Sequence, residues 1–277
     1  MKKILLSVAF SAIVLSASAQ DGVFYSEDFE WLSPWSAYVN GEGLGVGNTV
    51  GDNDLNVYCP FIDTPKVDGV SAKQAMEAKG MQFLFAQEGK DDSAAGKSCY
   101  LQKNYLKFGK GNYQSGIVLP SVDVPAGVEV AVKFDWCPMR QGDGKMDPTK
   151  VIVIVDNGDD QVIFDVPEHG METGAALAWI PVTVKLENVT VSKDTKISIR
   201  PEAAQWSVKG QHRWFIDNIQ VVDAKLAAIN EVATDVVDET APVEYFNLQG
   251  VRVNADNLSN GIYVRRQGSK TSKVIVR

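Results

Sequence analysis

The sequence predicts an all-β protein, an antiparallel β-sandwich followed by a small C-terminal β module. Three observations predict it. Between residues 81 and 222, short runs rich in Val, Ile and aromatic residues recur at regular spacing, separated by Gly, Pro, Asp and Asn. Val130, Val132, Phe134 and Trp136 alternate with Ala131, Lys133 and Asp135, as a half-buried antiparallel strand should. No stretch before residue 224 holds a helical period beyond two turns, which argues against a parallel α/β sheet with crossover helices.

In chain order, Lys2 and Lys3 precede an apolar run over 4–15 and then Ala17-Ser18-Ala19, the three regions of a secretory signal peptide, expected over 1–19. The run is too short to cross a bilayer core, which takes roughly 20 apolar residues. No cysteine lies near the cleavage site, so no lipid anchor is expected there, and no later segment is expected to span a membrane. The sandwich is expected over 20–224. Its first strand is read at 24–30, where Tyr25, Glu27 and Phe29 alternate with Phe24, Ser26, Asp28 and Glu30. Trp31, Pro34 and Trp35 follow, then a glycine-rich stretch over 41–54 too broken for a regular element. Residues 58–62 and 72–80 are ambiguous, the second fitting a turn of helix. Strands are then expected at 81–86, 98–101, 116–119, 128–136, 150–155, 161–166, 180–186 and 196–200. Asp156-Asn157-Gly158-Asp159-Asp160 reads as a hairpin turn, and it lacks the downstream glutamate of a calcium-binding EF-hand loop.

The organising strand is 214–222, Trp-Phe-Ile-Asp-Asn-Ile-Gln-Val-Val. Regular alternation places Phe215, Asp217, Ile219 and Val221 on one face and Trp214, Ile216, Asn218 and Gln220 on the other, so Asp217 is expected on the apolar face. A lone buried carboxylate costs several kcal/mol, as an order of magnitude, so Asp217 requires a partner. Two partners satisfy it: a cation, or hydrogen bonds from backbone amides or Arg213.

Residues 225–241 are acidic and polar and read as a linker. The module over 242–277 is expected to hold strands at 244–248, 250–253, 261–266 and 272–277, too few residues for more than a marginal core, so a small and mobile tail is expected.

The chain carries 27 basic and 35 acidic residues for a net charge of −8, which argues against a nucleic-acid or anionic-membrane partner. Cys59, Cys99 and Cys137 form an odd set, allow at most one internal disulfide, and fit no zinc spacing with only His169 and His212 in the chain. They read as buried small apolar residues. No nucleophile elbow, phosphate-cradling glycine loop or metal-binding histidine pair occurs, and the nearest paired acids, Asp52 and Asp54, sit in the glycine-rich loop. No enzyme activity is expected. Sugar recognition uses exposed aromatic faces flanked by polar groups, and Trp206, in the loop between the last two strands, is the best candidate, with Tyr38 and Tyr58 beside the glycine-rich stretch. Trp31, Trp35, Trp136, Trp179 and Trp214 are expected to pack in the core.

Two resemblances add to this reading. Asp28-Phe29-Glu30 with Pro34-Trp35 near the start, Gly116 to Asp123 leading into Phe134-Asp135, Trp179 to Leu186, and Phe215-Ile216-Asp217-Asn218-Ile219 at the end resemble secreted jelly-roll modules. These are carbohydrate-binding domains beside glycan-degrading enzymes and the adhesion-type sandwiches of bacterial surface proteins. The resemblance implies adjacent first and last strands whose acids hold a structural calcium ion, with Glu30 and Asp217 as its first ligands and Asp28 and Glu27 as weaker ones. Calcium takes six to eight oxygens, so acids from both chain ends would staple the seam.

Glu244-Tyr245-Phe246-Asn247-Leu248-Gln249-Gly250-Val251-Arg252-Val253, Asn260-Gly261-Ile262-Tyr263-Val264 and Lys273-Val274-Ile275-Val276-Arg277 resemble the C-terminal sorting domain of Bacteroidetes proteins. That resemblance implies a partnership with the type IX secretion machinery and a secreted or cell-surface location. Asp92-Ser93-Ala94 is similar to the O-glycosylation acceptor motif of that phylum. The expectation is a non-catalytic protein that binds polysaccharide or a surface glycan. The alternatives are a structural or adhesive surface protein with a protein partner, or a glycoside hydrolase-like enzyme.

Overall fold

The computed structural model describes residues 22–36, 60–91, 98–225, 227, 242–247, 251–254, 258–259, 261–267 and 270–276. The signal-peptide segment, the glycine-rich stretch with Asp52 and Asp54, Tyr38, Tyr58, Cys59, the 92–94 motif and nearly all of the linker lie outside them. By contacts the chain divides into two compact units, Met1–Lys225 and Leu226–Arg277.

The first unit is an antiparallel β-sandwich. Its strands are β1 (Val23–Glu27), β2 (Gln82–Gln87), β3 (Cys99–Leu101), β4 (Leu106–Phe108), β5 (Tyr113–Val118), β6 (Val130–Pro138), β7 (Val151–Asp156), β8 (Gln161–Asp165), β9 (Ile180–Lys185), β10 (Lys196–Pro201) and β11 (Trp214–Asp223). One sheet runs β9-β6-β11-β4-β3, with β1 also paired to β11; the other runs β8-β7-β10-β5-β2. Every ladder is antiparallel. Their facing sides meet in one core that includes Val132, Phe134, Trp136 and Ile216 from the first sheet and Ile117, Val153, Ile197 and Ile199 from the second. The unbroken run Val151-Ile152-Val153-Ile154-Val155 supplies β7, whose side chains are buried on both faces, as suits a strand inside a sheet.

Residues 72–78 form the helix α1 (Ala72–Ala78), started by a reciprocal capping box. Ser71 Oγ accepts from the Gln74 N–H at 3.2 Å, and Gln74 Oε1 accepts from the Ser71 N–H at 2.9 Å. Its end is followed by Gly80 at φ 94°, packed on Pro120, where a side chain would be strained.

Two features differ from the sequence expectation. The first strand stops at Glu27 rather than continuing to residue 30, because Phe29 takes a left-handed conformation (φ 53°) and turns the chain into a short 3₁₀ turn. The second concerns the faces of β11. Asp217 pairs with Asp135 but Gln220 with Lys133, so β11 carries one extra residue, a β-bulge, with Asn218 at φ 50°. A one-residue slip exchanges the two faces of a strand. Trp214 and Ile216 face the core before the bulge, and Ile219 and Val221 after it. Phe215 therefore does not share a face with Ile219 and Val221. It packs outside the sandwich core with Tyr105, Cys137, Met139 and Leu177, and Asp217 lies on that outer side.

The second unit is a four-stranded antiparallel sheet of β12 (Val243–Phe246), β13 (Arg252–Val253), β14 (Gly261–Gln267) and β15 (Lys270–Val276), in the order β13-β12-β14-β15. Glu244 bridges Arg252 and Arg266 at 3.1 Å each, and the Arg266 guanidinium stands over the Phe246 ring. The Tyr263 hydroxyl donates to the Ser259 carbonyl at 2.9 Å.

Candidate functional site

Two places gather the residues picked out above. The first is the seam where the sandwich closes. β1 runs along β11 from Val23 opposite Val222 to Glu27 opposite Ile219, and the chain then hooks outward at Phe29. Buried Glu27 holds that hook: its Oε1 accepts from the Phe29 N–H at 2.7 Å and from Trp31 Nε1 at 2.8 Å. Burial raises the Glu27 carboxyl above its ordinary range. The hook leaves Asp28 and Glu30 exposed, with the Glu30 N–H donating to Asp28 Oδ1 at 3.1 Å and Asn104 Nδ2 donating to Glu30 Oε1.

Asp217 is 8% exposed. Its Oδ1 accepts from the Asn218 N–H at 2.8 Å, while Asn218 Nδ2 donates to Asp135 Oδ2 at 2.8 Å. Burial, opposed by that single backbone hydrogen bond and reinforced by the negative charges of Asp135, Glu30 and Asp28, pushes the Asp217 carboxyl up to about 7. Arg213 is not its partner, contrary to one sequence expectation. That guanidinium is taken by Asp147, with Nε to Oδ2 at 2.6 Å and Nη2 to Oδ1 at 3.0 Å, and the Arg213 N–H also donates to Oδ2 at 3.1 Å.

The seam thus brings Asp135, Glu30 and Asp28 within electrostatic reach of Asp217, with no Lys or Arg salt-bridged to any of the four among the described residues. Asp135 and Asn104 join Asp217 and Glu30 there, although the sequence named neither as a site residue. Asp135 was readable as a polar position of an alternating strand and as part of the Phe134-Asp135 motif, neither of which marked it as a neighbour of Asp217. Among the described residues no three His, Cys, Asp or Glu side chains stand ready-made as a metal cage, so any ion here would draw on amide and carbonyl oxygens or water as well.

The second place is the loop after β10. Trp206 is half-buried and lies against Arg200, whose guanidinium sits 4.7 Å from the ring centroid. The loop is pinned on both sides of the ring. Gln205 accepts from the Lys150 N–H at 2.8 Å and donates to the Pro148 carbonyl at 2.6 Å. The Ser207 carbonyl accepts from the Gly89 N–H at 2.8 Å, and the Val208 carbonyl from Gln114 Nε2 at 2.9 Å. Gly116 allows the close packing beneath: a Cβ there would meet Arg200 Cβ at 2.5 Å and the Ile199 carbonyl at 2.6 Å.

The other tryptophans divide by burial. Trp136 and Trp214 are wholly buried. Trp31 and Trp35 pack against the core at its rim, with Trp35 Nε1 donating to the Val70 carbonyl at 2.8 Å, and Trp179 meets Tyr105 edge-on at 5.1 Å in the outer cluster. Cys99 and Cys137 are buried free thiols, and burial pushes Cys137 up to about 12. No described helix is long and apolar enough to cross a membrane.

No protein-family model matches the sequence. No curated protein matches it either. Among solved structures it is similar to a cleaved adhesin domain of Lys-gingipain from Porphyromonas gingivalis, at 12% identity over 52% of this chain and 85% of that one, with a TM-score of 0.28. It is also similar to the family 11 carbohydrate-binding module of a cellulosomal cellulase from Clostridium thermocellum, at 12% identity over 52% of this chain and 83% of that one, with a TM-score of 0.27.

Proposed function

We propose that this chain is a secreted or surface-displayed, non-catalytic glycan-binding protein whose sandwich presents Trp206 to polysaccharide. The observation that carries the reading is the mounting of Trp206: a half-buried indole, backed by a guanidinium and set in a loop held by four hydrogen bonds to neighbouring segments. A rigid aromatic face suits sugar C–H surfaces because little side-chain freedom remains to be lost on binding. Arg200, Gln205 and the adjacent carbonyls provide polar neighbours of the kind that hydroxyl groups need. A glycan array tests the reading. Retention of the wild-type chain on a defined set of polysaccharides, lost in Trp206→Ala, supports it; no retention on any glycan ends it.

In the same proposal a calcium ion stabilises the closing seam, with Asp217 and Glu30 as first ligands and Asp28 as a further one. Crowded carboxylates without a basic partner, one of them raised by burial and its neighbours, are what a divalent cation would relieve. Glu27 is assigned to holding the Phe29 hook instead, since its Oε1 already accepts two hydrogen bonds. The C-terminal sheet serves the proposal as a sorting module engaged by type IX secretion machinery. Expression in a host with and without that machinery tests this part, with surface display dependent on residues 242–277 as the supporting result.

A further inference from the structure

We infer that the sandwich associates with a second copy of itself through strand β8, edge to edge about a two-fold axis at Ile163. β8 is an end strand of its sheet. Sheet edges offer unpaired N–H and C=O groups and are usually protected by Pro, Lys, bulges or a covering segment. Two other edges of this sandwich are protected in those ways. β9 carries Pro181 and Lys185. β3 is covered by residues 60–62, through Leu101 N–H to the Pro60 carbonyl at 3.0 Å and Ile62 N–H to the Cys99 carbonyl at 3.2 Å. β8, Gln-Val-Ile-Phe-Asp, has no Pro, no Lys and an unshifted register against β7, and it exposes Val162 (37%) and Ile163 (52%).

The hydrogen-bond phase of the hairpin says which groups are free. Asn157 N–H bonds the Asp160 carbonyl at 3.0 Å at the turn, and Val166 N–H bonds the Val151 carbonyl at 3.2 Å at the far end. With the observed register, the bonded pairs between these are Val155 with Val162 and Val153 with Phe164. Gln161, Ile163 and Asp165 therefore direct their backbone N–H and C=O away from β7, toward the edge that no described strand pairs with.

These three residues are self-complementary. An antiparallel copy with Ile163 on the two-fold axis pairs Ile163 with Ile163, and Gln161 with Asp165, reciprocally, so that all three outward-facing residues of each copy hydrogen-bond. The side chains follow: the Gln161 amide meets the Asp165 carboxylate, and Ile163 meets its own copy. On the core side Val162 meets Phe164, which extends the buried seam from one sandwich into the next. The two five-stranded sheets would become one of ten strands.

Sedimentation velocity of the full chain across about 1 to 100 µM tests this, alongside Ile163→Pro and Ile163→Lys. Proline at 163 removes an outward N–H and none of the bonds to β7, so the hairpin survives. Lysine places two like charges face to face on the axis. The expected result is a dimer that dissociates on dilution in the wild type, and a dissociation constant raised more than about tenfold in both variants, with circular dichroism unchanged. If the proline variant fails to fold, the lysine variant decides alone. A wild type that is monomeric throughout, or a dimer that the folded variants leave intact, overturns the inference.

Discussion

Asp217 stands directly across the β6–β11 ladder from Asp135, and Asn218 joins them, donating its N–H to one carboxylate and its side-chain amide to the other. Like charges opposite each other on a sheet destabilise it. The bulge residue therefore does two things at once: it absorbs the extra residue in a left-handed conformation and supplies donors to both acids. Asn218→Gly keeps the conformation and loses the bridge to Asp135; Asn218→Ala loses the bridge and adds left-handed strain of about 1–2 kcal/mol. Urea unfolding should rank wild type above the glycine variant and the glycine variant above alanine.

The raised carboxyl of Asp217 sets a pH dependence with a definite sign. Its folded value of about 7 exceeds the ordinary carboxylate value, so between about pH 4 and 7 the folded state binds a proton that the unfolded chain has released. This group's contribution therefore favours the unfolded state increasingly as pH rises through that window. In chelator, Asp217→Asn should melt at a higher temperature than wild type at pH 8, with the difference shrinking toward pH 4. Millimolar calcium should raise the wild-type melting temperature at pH 8 and leave the Asn variant unmoved. Thermal unfolding followed by circular dichroism reads both.

Asp147 is fully buried and depends on Arg213 for its compensation. Removing one member of such a pair leaves an unpaired buried charge, at a cost of about 3–5 kcal/mol. Arg213→Ala should lose stability on that scale, and Arg213→Lys most of it, because an ammonium cannot reproduce the two-toothed contact. Asp147→Asn with Arg213→Met should recover part of the loss. Chemical denaturation of the four chains gives the comparison.

Gly116→Ala tests the support beneath Trp206. The added Cβ meets the Arg200 Cβ and the Ile199 carbonyl, neither of which can swing away, so β5 and β10 must separate. A loss of about 1–3 kcal/mol is expected from overpacking. Trp206 fluorescence should shift to the red as Arg200 leaves the ring, if measured in a chain whose Trp206→Phe partner serves as the blank.

Strands built from long Val/Ile runs were legible in the sequence: the expected 150–155 differs from β7 by a residue at each end, and the expected 196–200 falls one residue short of the end of β10. β4 was not, because three residues, Leu106 to Phe108, carry too little period to stand out and become a strand only when Trp214 to Ile216 pair with them. The bulge was also hidden. Glycine commonly marks such a site, and here Asn218 occupies it, so strict alternation put Asp217 on the wrong side of the sheet. Asp217 could be picked out because a carboxylate on an apolar strand calls for compensation, whereas Glu27, Asp28 and Glu30 were named only through the resemblance to jelly-roll modules. The site roles of Asp135 and Arg200 could not be read, since only the tertiary pairing sets them beside Asp217 and Trp206.

Pairing Val23 with Val222 has a temporal consequence. About 200 residues separate the partners, so the sandwich cannot close until almost the whole unit is available, and such distant contacts form slowly. For a protein exported as proposed here, that delay keeps the chain threadable while it crosses, and folding is completed on the far side by the meeting of its two ends.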